Sequence, residues 1–381
     1  MTDVRITGVG LHRFGRFDGV TNTDMGEIAV SKALAEAGIG RGGFQAAFCA
    51  TAYGGVASGH RVLGRLGMTG MPIVDVEAGC ASGGAALSLA ASAIQSGQID
   101  TALVFGVEKM PRGIIRSSFF DAWQEAAGMA STPAYFALRA QRLMHTSGVT
   151  KEHLAAVVVK NRRHGALNPD AMFQKEVDAT SVLDSRVVCE PLHLWMLCSP
   201  NEGAAAVVLQ NTNAAAASRS SSVKLATAVL RSHIAGPVLS ESTPLSGLAS
   251  DEVPTPTRLA ADAAYEESGI GPGELDVVEC QDTDAAREML SYEELRLCPA
   301  GGSAELIDQH ATSLGGRLPV NTSGGLLSKG EPLGASALGQ VVELVRQLRG
   351  TAGKRQVDNA TVALAHTVGR GANAGVVILT R

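Results

Sequence analysis

Two stretches of this chain follow one plan. "EAGCASGGAALSLAASAIQSGQIDTALVFG" (77–106) and "NTSGGLLSKGEPLGASALGQVVELVRQLRG" (321–350) each open with a turn rich in Gly and Ser. Each continues into an Ala/Leu/Val helix and leads to a buried strand, "TALVFGVEKM" in the first case and "ATVALAHT" in the second. A unit of this kind cannot bury its apolar face alone, so its repetition predicts two similar α/β halves packed in layers. The flanking segments agree: "VRITGVGLHRF", "QAAFCATAYGG" and "PIVDVEAG" read as strands, and "TDMGEIAVSKALAEAGI" as an amphipathic helix ended by glycine. The halves divide at 1–221 and 222–381, where "SVKLATAVL" restarts the alternation.

Residues 111–200 break the rhythm and read as a loop insertion lying over one face. Phe119, Phe120, Trp123, Met129, Tyr135, Phe173 and Trp195 fall there. They suit either a roomy apolar lining or core and dimer contacts.

The charge pattern excludes several functions. The net charge is −5 with no long run of either sign, and aromatic residues are 4%, so neither a phosphate-tracking surface nor a base-stacking one is present. The short basic groups, Lys160, Arg162 and Arg163 with His164, and Lys354 with Arg355, read as solvated helix faces or as anchors for cofactor phosphates. No apolar run reaches the roughly 18–20 residues of a membrane helix. The six cysteines show no CxxC pairing, and "MTDVRITGVG" has no signal-peptide pattern. They read as reduced thiols of a cytoplasmic protein, without a zinc site.

Two residues carry the candidate chemistry. Cys80 lies between the strand "IVDVEAG" and an Ala-rich helix, where the positive end of the dipole favours a thiolate and free N–H groups can hold an oxyanion. The other five cysteines sit in ordinary strand or loop surroundings and read as structural. Glu331 stands alone between Gly330 and Pro332 in a loop permissive enough to aim it inward, and a carboxylate so placed can act as general acid or base.

These residues carry a resemblance that covers essentially the whole chain. "VEAGCASGGAALSLAASAIQSGQIDTALVFGVEKM" resembles the nucleophile segment of the thiolase superfamily, nearest to its sterol-carrier-protein-type and lipid-transfer-like branch. "GVTKEHLAAVVVKNRRHGALNP", "SRVVCEPLHLWMLCSPNEGAAAVVL", "NTSGGLLSKGEPLGASALGQ" and "ALAHTVGRGANAGVVILTR" are similar to later segments of that branch. The resemblance implies the thiolase fold, an αβαβα sandwich of two halves with an inserted loop domain. It implies an acyl-enzyme on Cys80 and an oxyanion hole made by the backbone N–H groups of Cys80 and Gly369. The substrate it implies is a coenzyme A thioester, with no covalently bound cofactor. It implies a homodimer or dimer of dimers and, from the lipid-transfer-like relatives, a small OB-fold, zinc-containing partner subunit.

The sequence departs from the family where side chains do the work. Glu331 takes the place of the Gly–His–Pro histidine. "QDTD" (281–284) takes that of the His-Asp-Cys-Phe segment, so Gln281 replaces a histidine and Thr283 the second cysteine. Thr367 stands where other thiolases keep that cysteine, and Ala78–Gly79 replaces Asn-Ala. Alternation along the strand turns Cys280 away from the Gln281 face. His366 is the remaining imidazole, either catalytic or packing. Three readings stay open: an acyl-CoA C-acyltransferase working through Cys80, a retro-aldol lyase with Glu331 as base and Cys80 a spectator, or a non-catalytic acyl-CoA or lipid binder.

Overall fold

A computed structural model describes residues 2–113, 122–128, 131–215, 222–234, 253–369 and 373–381. Its strands are β1 (Val4–Gly15), β2 (Ala46–Ala50), β3 (Ile73–Val76), β4 (Thr101–Lys109), β5 (Val187–Cys189), β6 (Leu192–His193), β7 (Glu202–Asn211), β8 (Val223–Ser232), β9 (Val277–Glu279), β10 (Val362–Val368) and β11 (Asn373–Thr380). Nine of them form one sheet in the order β3-β2-β4-β7-β1-β8-β11-β10-β9. Pairing is parallel at the two ends, β3-β2-β4 and β10-β9, and antiparallel between them. The halves of the sheet meet only where Val4–Ile6 of β1 pairs with Val223–Leu225 of β8.

Side-chain alternation separates the layers. Leu103, Phe105 and Val107 of β4 pack outward with Met25, Val30 and Leu34 of the Asn22–Ala37 helix. Ala102 and Val104 pack inward with Leu87 and Ile94 of the Ser82–Gln95 helix and with Leu338 and Val345 of the Leu333–Arg349 helix. Val377 and Leu379 of β11 enter that same central core, while Val376 and Ile378 face a third core under the Pro256–Ser268 and Ala285–Glu294 helices. Outer helices, half-sheet, central helix pair, half-sheet, outer helices: this is the expected αβαβα sandwich.

The central helices pack closely because their sequences are small on the contact faces. A Cβ at Gly106 of β4 would run into the Gly334 carbonyl, so the start of the Leu333–Arg349 helix rests directly on that strand. Gly83 meets Ala337 and Leu338 in the same way, which brings the two central helices together.

The 111–200 segment differs from the loop insertion expected, except at "GVTKEHLAAVVVKNRRHGALNP", whose resemblance to a helix and loop implied the helix found there. Its described part is mainly helical, with sixteen-residue helices at Thr132–Ser147 and Lys151–Ala166. Thr150 caps the second through a reciprocal bond with His153, Gly148 closes the first in the left-handed region, and Leu143, Leu154 and Val158 bury the facing sides. Tyr135 is core beside Phe136, Trp123 is exposed, and Phe119, Phe120 and Met129 lie outside the described residues. The basic run of the second helix is not a solvated face either: Lys160, Arg162 and His164 are all buried, and only Arg163 points out. Arg355 is likewise buried, on Glu343 at 2.8 Å. No described helix is long and apolar enough to cross a membrane.

Candidate active site

The turn after β3 builds the first half of the site. Gly79 has φ of +59°, a conformation that glycine adopts without strain, and Gly79–Ala81 forms a 3-10 turn into the Ser82–Gln95 helix. Ser82 Oγ accepts from the Ala78 N–H at 2.8 Å and donates to the Gly79 carbonyl at 2.6 Å, while Glu77 accepts from the Gly79 N–H at 2.8 Å. The Cys80 so presented is buried among Met110, Leu333 and Ala52. Glu108 at the end of β4 holds that surround together. Its carboxylate accepts from the N–H groups of Ala52 (2.8 Å), Tyr53 (3.0 Å) and Gly334 (3.1 Å). Burial pushes Glu108 up from the ordinary carboxylate range, and those N–H bonds pull it back.

The other half forms where distant segments meet. Glu331 donates its N–H to the Ser199 carbonyl at 2.9 Å and pairs as a parallel bridge with Pro200. Gly330, at φ +89°, has no room for a Cβ against Asn201, which donates to the Lys329 carbonyl at 2.9 Å. The buried Glu331 carboxylate accepts on both oxygens, from Gln281 Nε2 at 2.9 Å and from Cys198 Sγ at 3.2 Å. Burial, then the Glu331 charge, push the Cys198 thiol well up, so it stands as S–H at neutral pH; Asp282 and Cys80 add to the same field. Cys198 is itself fixed by donating its N–H to the Thr283 carbonyl at 2.9 Å.

The cysteine assignment therefore needs correction. Cys198, read as structural, places its thiol against the Glu331 carboxylate at the cavity. No local signal marks it: the pair is 133 residues apart in sequence. Cys280 does behave as expected, fully buried in the outer core.

The remaining expected site residues take other places. Gln281 is fully buried, and its Oε1 meets no donor among the described residues. His366 lies behind it, with Nδ1 3.5 Å from the Gln281 N–H and Nε2 3.0 Å from Thr257 Oγ1. Burial, with Arg287 nearby, holds His366 well below the usual imidazole range, so it is a neutral prop under Gln281 rather than a group in the cavity. Gly369 departs further. Its Cα packs against the Cys80 turn, but its N–H donates to the Asn373 carbonyl at 2.7 Å and is not directed at an oxyanion. The hairpin between β10 and β11 uses the donor. Asp282 and Asp284 are scaffold: Asp282 accepts from Leu326 N–H (2.7 Å) and Leu327 N–H (3.1 Å), and Asp284 caps the Ala285–Glu294 helix and pairs with Arg139.

A cavity of about 680 Å³ opens over Glu331, Cys198, Thr283 and Leu333. Phe136, Phe173 and Trp195 supply apolar lining, so two of the aromatic residues singled out from sequence do line it. Cys80 borders it through Leu333, which packs on the thiol and lines the space. A carboxylate and a protonated thiol on the cavity wall, with the Gln281 amide behind the carboxylate, can move a proton to or from a carbon acid. No group of three or more His, Cys, Asp or Glu among the described residues could hold a metal ion.

Comparison with known proteins agrees with this architecture. The family model "Thiolase, N-terminal domain" matches residues 4–213, and "Thiolase C-terminal domain-like" matches residues 242–381. The chain is 35% identical over 396 residues to "Sterol carrier protein 2" of Bos taurus, covering 99% of this chain and 71% of that protein. It is 36% identical over 379 residues to "Benzoylsuccinyl-CoA thiolase subunit BbsB" of Thauera aromatica, covering 97% and 96%. Among solved structures, the "Ltp2-ChsH2(DUF35) aldolase" superposes with a TM-score of 0.85 at 25% identity, covering 99% of this chain and 97% of that one.

Proposed function

The chain belongs to the thiolase family, and from that premise we propose that it makes or breaks a carbon–carbon bond of a coenzyme A thioester, with Cys80 carrying the acyl group. The observation that carries this reading is the hydrogen bond from Cys198 to Glu331 at 3.2 Å, a proton held between a second thiol and a carboxylate at the cavity. That pair replaces the missing histidine and cysteine.

In the cleavage direction, Glu331 takes the Cys80 proton as the thiolate attacks the β-carbonyl carbon of a β-oxoacyl-CoA. The Cys80 backbone N–H faces the resulting oxyanion. The bond between the α and β carbons then breaks, and its electron pair remains on the α carbon as the enolate of the departing acyl-CoA. Cys198 protonates that carbon and regains a proton from Glu331. Coenzyme A finally takes the acyl group from Cys80, and its thiol proton returns to Cys80 through Glu331. Gln281 orients the carboxylate, and His366 positions Gln281.

A second reading has its own support. Cys80 is packed behind Leu333 while Glu331 lines the cavity, and the aldolase named above superposes over nearly the whole chain. In a retro-aldol cleavage Glu331 would remove the β-hydroxyl proton and Cys80 would carry nothing. Exposure to a series of acyl-, β-oxoacyl- and β-hydroxyacyl-CoA esters separates the two. A mass gain of one acyl group on Cys80, lost in Cys80→Ser, is the expected result. Full turnover in Cys80→Ala would instead establish the lyase.

Partners belong to the same proposal. One relative is named as a subunit and the aldolase as a two-protein assembly, so we propose that a small second subunit, alongside a second copy of this chain, completes the enzyme. Affinity purification with genomic neighbours co-expressed tests it.

A further inference from the structure

Four arginines line the cavity, and one of them is unlike the rest. Arg16 is committed to the scaffold: it donates to the Met110, Pro111 and Pro200 carbonyls and pairs with Glu202 at 3.4 Å. Arg112 is largely exposed and pairs with Asp18 at 3.1 Å, and Arg186 is exposed at the rim. Arg162 is only 8% exposed, yet its Nε meets no acceptor and no described carboxylate lies against it. Its guanidinium stacks on Phe173, whose ring centroid is 4.0 Å from Cζ.

The same helix shows how a buried cation is otherwise compensated. Lys160, equally buried, pairs with Glu288 at 2.6 Å and donates to the Val320 carbonyl at 2.9 Å. Desolvation lowers Arg162 only to about 10, so it stays a cation at neutral pH, against a cavity and without a counter-ion among the described residues. Glu331 is the one carboxylate in the described lining, and it accepts from Gln281 and Cys198 and forms no ion pair with Arg162. A guanidinium stacked on an aromatic ring presents its in-plane N–H donors edge-on, the geometry that fits a carboxylate fork to fork.

We propose that the cavity receives an acyl group with a carboxylate of its own, paired by Arg162, so that the substrate is a coenzyme A thioester of a dicarboxylic acid. This rests on the thioester reading above. The other anion source is the coenzyme itself. Its phosphates are strongly hydrated and lie at the end of the long pantetheine arm, whereas Arg162 is buried in the same cavity as Glu331.

Equilibrium titration of the purified protein, with any co-purifying subunit, tests this. Succinyl-, glutaryl- and adipyl-CoA are each compared with their ω-methyl esters and with free coenzyme A, for wild type, Arg162→Met and Arg162→Lys. The expected result is that one of the acids binds at least about tenfold tighter than its ester, a charge-assisted pair's worth. Arg162→Met abolishes that difference, Arg162→Lys keeps part of it, and binding of free coenzyme A is unchanged. The melting temperature of Arg162→Met should not fall, since an uncompensated buried charge is removed. Equal binding of acid and ester by the wild type overturns the inference while leaving the thioester reading standing. Equal weakening of free coenzyme A in Arg162→Met assigns Arg162 to a phosphate and also overturns it. Failure to bind any ester or coenzyme A removes both.

Discussion

The approaches to the two central helices are built in opposite ways. The turn before Ser82–Gln95 closes on itself, through Ser82, Glu77 and a left-handed Gly79, and sets Cys80 by contacts within a few residues. The approach to Leu333–Arg349 has no such local closure around its functional group. Glu331 is tied to Ser199 and Pro200, and its carboxylate partners are Gln281 and Cys198. The difference teaches where the chemistry is adjustable. A locally built turn takes its backbone shape from adjacent residues, whereas a group set by long-range contacts acquires its character from its neighbours, here an amide and a thiol.

The strongest way to break the comparison is at the local side. Cys80→Ala should lower acyl transfer by about three orders of magnitude or more, the scale of losing a covalent nucleophile, in a steady-state assay of coenzyme A ester products. Unchanged turnover would make the local turn a relic. On the long-range side, Glu331→Gln should lower turnover by about two to four orders of magnitude, the contribution of a positioned acid–base group. A loss below about tenfold would remove Glu331 from proton transfer.

Cys198 sharpens the contrast. Cys198→Ser keeps a hydrogen-bond donor but is a poorer acid, so a loss of about ten- to a hundredfold is expected, with acylation of Cys80 still detectable by mass. The Glu331 charge helps hold the Cys198 thiol up, so removing that charge lets its pKa fall. Iodoacetamide should therefore modify Cys198 faster in Glu331→Gln than in wild type at pH 8, followed by peptide mass. An equal or slower rate would mean that the carboxylate does not act on this thiol.

The smallest effect concerns acid sensitivity. Beneath the Glu331 side, His164 bonds the Asn321 carbonyl at 2.9 Å and is pushed by burial to about 4, and buried His366 also lies well below its usual range. Each is neutral when folded and takes a proton more readily when unfolded. Their stability contribution is therefore present above about pH 6.5 and lost as pH falls toward 4. Hydrogen exchange at pH 5 against pH 7.5 should show residues 320–331 losing protection before residues 77–95. The reverse order would contradict the placement of these histidines.

Much of the fold was legible because its signals are local. Periodicity separates β4 from the helix before it, and alternation along β4 and β11 sorts residues between cores. Cys80 was legible for the same reason, since strand, glycine and small-residue helix are contiguous. The 111–200 segment misled because the apolar face of its Thr132–Ser147 helix is completed by distant elements of the outer core, which no neighbouring residue announces. The run at Lys160–His164 misled because charge suggests solvent, while Glu288 and Asn321 lie more than a hundred residues away.

The sequence by itself determined two α/β halves, a thiol at a helix entrance, and a carboxylate alone in a loop of small residues. Only the tertiary structure decided that this carboxylate meets Cys198, that the Gly369 N–H closes a hairpin, and that Arg162 is buried against a cavity with no counter-ion among the described residues. Turn and period depend on neighbouring residues and can be read along the chain. Which charge is left without a partner depends on how separate layers pack, and no stretch of sequence contains that.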